Sequence, residues 1–118
     1  MEGVLIASAD PAVCRSLHAI VQPGRTVHER GTVAGALALA AAQRLDLVFV
    51  DDVFPDGPAL ELVERLAALS YGVQVVPLVL SLGSPVVEPF RQHGARVFLP
   101  KPFSLKQLAT VVKDILAE

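Results

Sequence analysis

Four short stretches of the chain carry groups able to do chemistry. Asp10 ends VLIASAD and precedes Pro11, Asp51 and Asp52 follow LDLVFV, Ser81 follows VQVVPLVL, and Lys101 stands between Pro100 and Pro102. Gathered at one place, carboxylate, hydroxyl and ammonium groups can handle an anion, because the ammonium offsets charge that carboxylates alone would repel. Each group also has a plainer explanation. Asp10, immediately before a proline, suits a helix N-cap whose carboxylate turns back to the free N–H groups of the first turn. Asp51 could cap the connection that follows it, and Ser81 could satisfy turn backbone. A lysine is most often a solvated charge, but the two prolines restrict the Lys101 backbone at the end of an apolar run, which favours a site role. Asp52 would point away from Asp51 if the strand continued, so it is expected in solvent.

Alternating elements must position these groups. Apolar runs at 4–7 (β1), 45–50 (β3), 73–80 (β4) and 95–99 (β5) read as strands, and the polar, alternating RTVHE at 25–29 (β2) reads as an edge strand. Three of the runs are apolar on both faces, which fits parallel strands covered by helices on each side. Helical patterns fill the gaps: α1 from Pro11 onward, α2 over 32–43, α3 over 58–70, α4 over 84–93 and α5 over 104–116. Pro11 and Pro58 suit first-turn positions, Ser104 and Gln107 have capping-box spacing, and Glu61 with Arg65 makes an i,i+4 pair. Gly35 weakens α2, and Pro89 should shorten or bend α4. The alternation predicts an α/β fold: a doubly wound, flavodoxin-like sheet of five parallel strands in the order 2-1-3-4-5, with helices on both faces. With no linker or repeat, residues 1–118 read as one domain.

Composition narrows the function. Hydrophobic residues make up 53% of the chain and charged residues 19%, so a packed core is expected and the disordered class is remote. The net charge is -2, with ten Lys and Arg scattered along the chain, so no basic stripe offers itself to nucleic acid. No apolar stretch approaches the ~18 residues of a membrane helix. A single cysteine, Cys14, excludes an internal disulfide, and no signal segment opens the chain, so a cytoplasmic location is expected. Cys14 reads as a small buried hydrophobe of α1, and His18, His28 and His93 lack metal-ligand spacing.

In a doubly wound sheet the functional crevice lies beyond the carboxyl ends of the strands, where strand order reverses between β1 and β3. Ser8 to Asp10, Asp51 and Asp52, Ser81 and Lys101 all fall just past strand ends. The stretches LVFVDDVFPDG, VLSLG and GARVFLPKPF, in this order and spacing, resemble the receiver domains of two-component response regulators, and the match in element order covers nearly the whole chain. The resemblance implies that Asp51 is a phosphoryl acceptor, Ser81 the hydroxyl that follows the phosphoryl group, Lys101 its cationic partner, and Phe98 an aromatic that switches with Ser81. It implies a cis Lys101–Pro102 bond, and Mg2+ held by Asp51, the Val53 main chain and an acidic pair ending β1. It also implies a histidine kinase or phosphotransfer protein as donor, a downstream protein partner, and an α4-β5-α5 output surface that can serve a homodimer. By the same resemblance the chain is a switch and not an enzyme.

The acidic pair is where this sequence departs. Ser8 and Ala9 occupy its places, and Asp10 comes one place late, where the cap reading outweighs a metal contact. Leu82 stands where the family usually has a small residue, which would restrict donor entry, and Ala59 stands where Gly is common, with Gly57 able to relocate the turn. The loss matters because two unit charges ~4 Å apart repel by about 4 kcal/mol at an effective dielectric of 20, so a carboxylate attacking an anionic phosphoryl group needs cations beside it. Two functions follow. One is a receiver that accepts a phosphoryl group on Asp51 and signals through α4-β5-α5, favoured by Asp51, Ser81 and Lys101. The other is a pseudo-receiver that binds partners through the same surface without efficient phosphorylation, favoured by Ser8 and Ala9. A small ligand binder or enzyme of this fold would want a glycine-rich phosphate loop after β1, and none is there.

Overall fold

The apolar runs become strands of one parallel sheet in the computed structural model, which describes residues 3–21, 25–69, 71–83 and 85–116. The strands are β1 (Gly3–Ala7), β2 (Thr26–Arg30), β3 (Leu47–Val50), β4 (Gln74–Val79) and β5 (Leu99–Pro100), in the spatial order β2-β1-β3-β4-β5. All neighbours run parallel, with Val4 beside Val27 and Leu47, Val48 beside Val75, and Val79 beside Pro100. The predicted 2-1-3-4-5 order is the observed one, and the polar β2 lies at an edge as its alternation required.

Side chains of successive strand residues point to opposite faces, so each inner strand feeds two cores. Leu5, Ala7, Val48, Val50 and Val79 meet α2 (Val33–Ala42), α3 (Ala59–Ala67) and α4 (Val87–Gln92) on one face. Val4, Ile6, Leu47, Phe49, Leu78 and Leu99 meet α1 (Pro11–Val21) and α5 (Leu105–Leu116) on the other. Among the described residues no helix is long and apolar enough to cross a membrane.

The helix ends follow local chemistry. Pro11 opens α1, and the Asp10 carboxylate accepts from the Ala12 N–H at 2.9 Å, the cap expected of it. Ser104 and Gln107 satisfy each other's main-chain N–H groups at 2.8 and 3.0 Å, completing the box at the start of α5. In α2 the Thr32 hydroxyl accepts from the Gly35 N–H at 2.9 Å, and a Cβ at position 35 would sit 2.8 Å from that same hydroxyl oxygen, which gives Gly35 its reason. The N–H groups of Val33 and Ala34 find their acceptor outside the helix: Asp56 accepts from Val33 at 2.8 Å and from Ala34 at 3.0 Å. These two hydrogen bonds, Ala34's first, hold the Asp56 carboxyl below the ordinary range.

Three of the boundaries that differ from expectation have a local cause. Pro58 stands at the N-cap of α3, one place before the first turn, because it pairs with Val53 in a short antiparallel ribbon of Val53–Phe54 and Gly57–Pro58. Helix α4 has six residues, with Pro89 inside its first turn, where the missing N–H forfeits no helical bond; Ser84, its expected start, lies outside the described residues. Strand β5 holds only Leu99 and Pro100, not the run from Ala95. Gly94, at φ 96°, ends α4 with its N–H on the Arg91 carbonyl, and the Ala95 N–H goes to the Phe90 carbonyl at 3.2 Å. The end of the helix thus takes main chain that the strand composition had assigned to the sheet.

Candidate functional site

Asp51 reaches the site because the β1–β3 ladder runs one step past Val50: its N–H donates to the Ala7 carbonyl at 2.9 Å. The Ser8 N–H likewise donates to the Arg30 carbonyl at 3.0 Å, so Ser8 and Asp51 end side by side. The Ser8 hydroxyl donates to Asp51 Oδ2 at 2.6 Å and accepts from the Asp10 N–H at 3.0 Å. Ser8 is 3% exposed and Asp51 4%. From the far side of the sheet the Lys101 N–H donates to the Val79 carbonyl at 2.6 Å, and its ammonium reaches back across the strand ends. Lys101 Nζ lies 2.5 Å from Asp51 Oδ1 and 3.0 Å from Asp52 Oδ1, while the Asp52 N–H donates to Asp51 Oδ1 at 2.8 Å. The Lys101–Pro102 bond is cis, as the resemblance implied.

Burial pushes the Asp51 carboxyl upward, but the hydrogen bonds from Lys101, Ser8 and Asp52 outweigh it and hold the group below its ordinary value. Burial acts on the Lys101 ammonium in the opposite sense and is likewise outweighed, by Asp51 and then Asp52, so its value is raised. The signs fix the pH window. A lowered carboxyl stabilises fully above its unfolded value near 4 and loses that contribution as pH falls through the folded value. A raised ammonium stabilises fully below about 10.4 and loses its contribution only as pH rises past the folded value. Asp51→Asn is therefore expected to flatten the acid side of the stability profile, measured by urea melts from about pH 6 downward, and to leave the region near pH 9 to the Lys101–Asp52 contact.

Other expected site residues are placed differently. Asp52 was expected in solvent; it is half-buried on Lys101, because the strand stops at Val50 and strand alternation no longer governs it. Asp10, the third metal candidate, is exposed, with Oδ1 of its carboxylate capping α1. Val53 is exposed in the ribbon. Ser81 is exposed just beyond β4, and no hydrogen bond among the described residues joins it to Asp51 or Lys101. Leu82 is exposed as well. Phe98 is half-buried against the α2–α4 core, with the Arg91 guanidinium 5.5 Å above its ring. Cys14 is buried, and that burial, the largest cause, pushes its thiol up, in keeping with a packing role. Sequence reasoning missed Ser8 as a partner of Asp51; the signal was a small polar residue ending a buried strand next to β3.

A family model for the response regulator receiver domain matches residues 4–113. The chain belongs to this family. The DNA-binding transcriptional regulator NtrC of Bradyrhizobium sp. (strain RP501 Parasponia) is 33% identical over 98% of this chain, and the sensor kinase CckA of Brucella abortus is 31% identical over 96% of it. The chain spans 24% and 12% of those two proteins. A two-component response regulator from Clostridium difficile, 20% identical, superposes with a TM-score of 0.88 over 100% of this chain and 98% of its own, a likeness of fold.

Receivers typically bind Mg2+, an ion that wants oxygen ligands in near-octahedral array. The donor set of this receiver does not fit it. At the end of β1, Ser8 and Ala9 are neutral, and Asp10 caps a helix. Asp51 already accepts from three donors, one of them an ammonium that would face the incoming cation. Among the described residues no group of three or more His, Cys, Asp and Glu is arranged to hold a metal.

Proposed function

We propose that this receiver acts as a protein-contact module of a two-component pathway, in which Asp51 is held in a closed ion-pair network and is not efficiently phosphorylated. The observation that carries this is the hydrogen bond from Ser8 to Asp51, at the place where the family resemblance wants an acidic pair. An approaching phosphoryl group would find one ammonium, shared by two carboxylates, and no divalent cation to offset the remaining repulsion. Asp51 here organises the rim of the sheet. The partners are a histidine kinase or phosphotransfer protein and a downstream protein. They meet the surface of α4, β5 and α5, which also serves a homodimer. Support for that surface comes from Phe98 lying under Arg91, itself paired with Glu88 at 2.9 Å on the outer side of α4. The module works in the cytoplasm and has no turnover of its own.

A second reading rests on the contact of Lys101 with Asp51 and on Ser81 past the end of β4: Asp51 accepts a phosphoryl group, and Ser81 closes on it. Mass spectrometry after incubation with acetyl phosphate and Mg2+, and NMR spectra with beryllofluoride, separate the two. The first reading expects neither a mass gain nor a spectral change. A mass gain that Asp51→Asn abolishes would establish the second.

A further inference from the structure

We infer that Ser8 does for Asp51 in this chain what a divalent cation does elsewhere in the family, and that residue 8 decides whether the pocket takes a metal. This rests on the reading of the module given above, but it concerns cation binding, where that reading concerns phosphoryl gain. Asp51 and Asp52 bring two negative charges and Lys101 one positive, leaving the cluster at -1 before any ion arrives. Lys101 is a tethered cation already at the carboxylates, and a divalent ion entering beside it would have to displace it.

A carboxylate offers about four acceptor sites. On Asp51, Oδ1 takes Lys101 Nζ and the Asp52 N–H, and Oδ2 takes the Ser8 hydroxyl. Ser8 is itself fixed by the Asp10 N–H, which aims its one proton at Asp51. Ser8 is therefore a positioning residue: it holds the acid in one orientation, as a bound ion would, without adding charge.

The geometry also shows what a single substitution would do. A carboxylate at position 8 would replace a donor 2.6 Å from Asp51 Oδ2 with a second anion, and two facing carboxylates call for a cation between them. Ser8 and Ala9 border a cleft of about 480 Å³ that Asp51 does not line, which gives a longer side chain at position 8 room to turn. Arg15, Glu29 and Arg30 also line this cleft, two cations against one acid, a balance that tolerates an added carboxylate.

Two measurements test the inference. Wild-type protein is titrated with MgCl2, following the amide resonances of residues 8 and 51–53, with KCl at matched ionic strength as the control. Thermal melts then compare wild type, S8A and S8D in the same two salts. Wild type and S8A should show no Mg2+-specific response. S8D should melt lower than wild type in KCl and gain about 5 °C when Mg2+ stands at ten times its dissociation constant. Wild-type amides that move at millimolar Mg2+ would overturn the inference, as would a folded S8D indifferent to Mg2+. If S8D does not fold in either salt, the wild-type titration decides: silence upholds the inference and movement ends it. Neither result depends on whether Asp51 gains a phosphoryl group.

Discussion

Replacing Lys101 with methionine is expected to destabilise the protein by about 3 kcal/mol at neutral pH, a loss of roughly 10 °C in Tm. Methionine keeps most of the apolar stem and removes the ammonium, leaving Asp51 as a buried carboxylate with only the Ser8 hydroxyl and the Asp52 N–H as donors. Removing one partner of a buried pair costs about 3–5 kcal/mol, because the other charge is left uncompensated. The lower end applies here, since the Lys101 side chain keeps 21% of its exposure and two donors remain on the acid. Urea melts with an unchanged m-value would measure it. The double variant Asp51→Asn, Lys101→Met should recover part of the loss, the sign of direct coupling. The deficit should also shrink in acid, as Asp51 takes up a proton and no longer needs the ammonium. A loss below about 1 kcal/mol would show the contact to be as weak as an exposed surface pair.

Phe49→Ala should cost about 4 kcal/mol, with no such dependence on pH. Phe49 is fully buried near the centre of β3, beside Ile6 of β1 and Val76 of β4, and it packs into the layer closed by Leu17 of α1 and Leu108 of α5. Truncation there forfeits the transfer of an aromatic ring and leaves a void that four surrounding elements cannot easily close. Phe49→Leu keeps most of the volume and should lose about 1.5 kcal/mol or less. Denaturant melts of both variants at pH 7 and near pH 3 separate this apolar term, which persists in acid, from the ion-pair term, which fades.

The architecture was legible because its signals are local and repeated. VLIA and LVFV are apolar at every position, which only strands buried on both faces require, and the alternation with helices then restricts how the chain can be wound. Lys101 beside Asp51 followed from that winding. What stayed hidden was decided by competition for main-chain hydrogen bonds. ARVFL has the composition of a strand, yet the carbonyls at the end of α4 take the N–H of Ala95 first. Strand alternation sent Asp52 outward, and it failed because the ladder ends one residue too early for the rule to apply. Ser8 could be seen as an acid that was missing. That it would put a proton on Asp51 needed the register of β1 against β3.

Helix α2 borrows two of its first hydrogen bonds from Asp56, which belongs to the turn of the ribbon that follows Asp52. The amide protons of Val33 and Ala34 are thereby shielded by a carboxylate carried on another part of the chain. Their exchange with deuterium in heavy water cannot outrun the rate at which that carboxylate lets go. Two resonances in a plain stretch of alanine-rich helix therefore serve as a clock for the grip of Asp56, four residues along the chain from Asp52, read without a change at either acid.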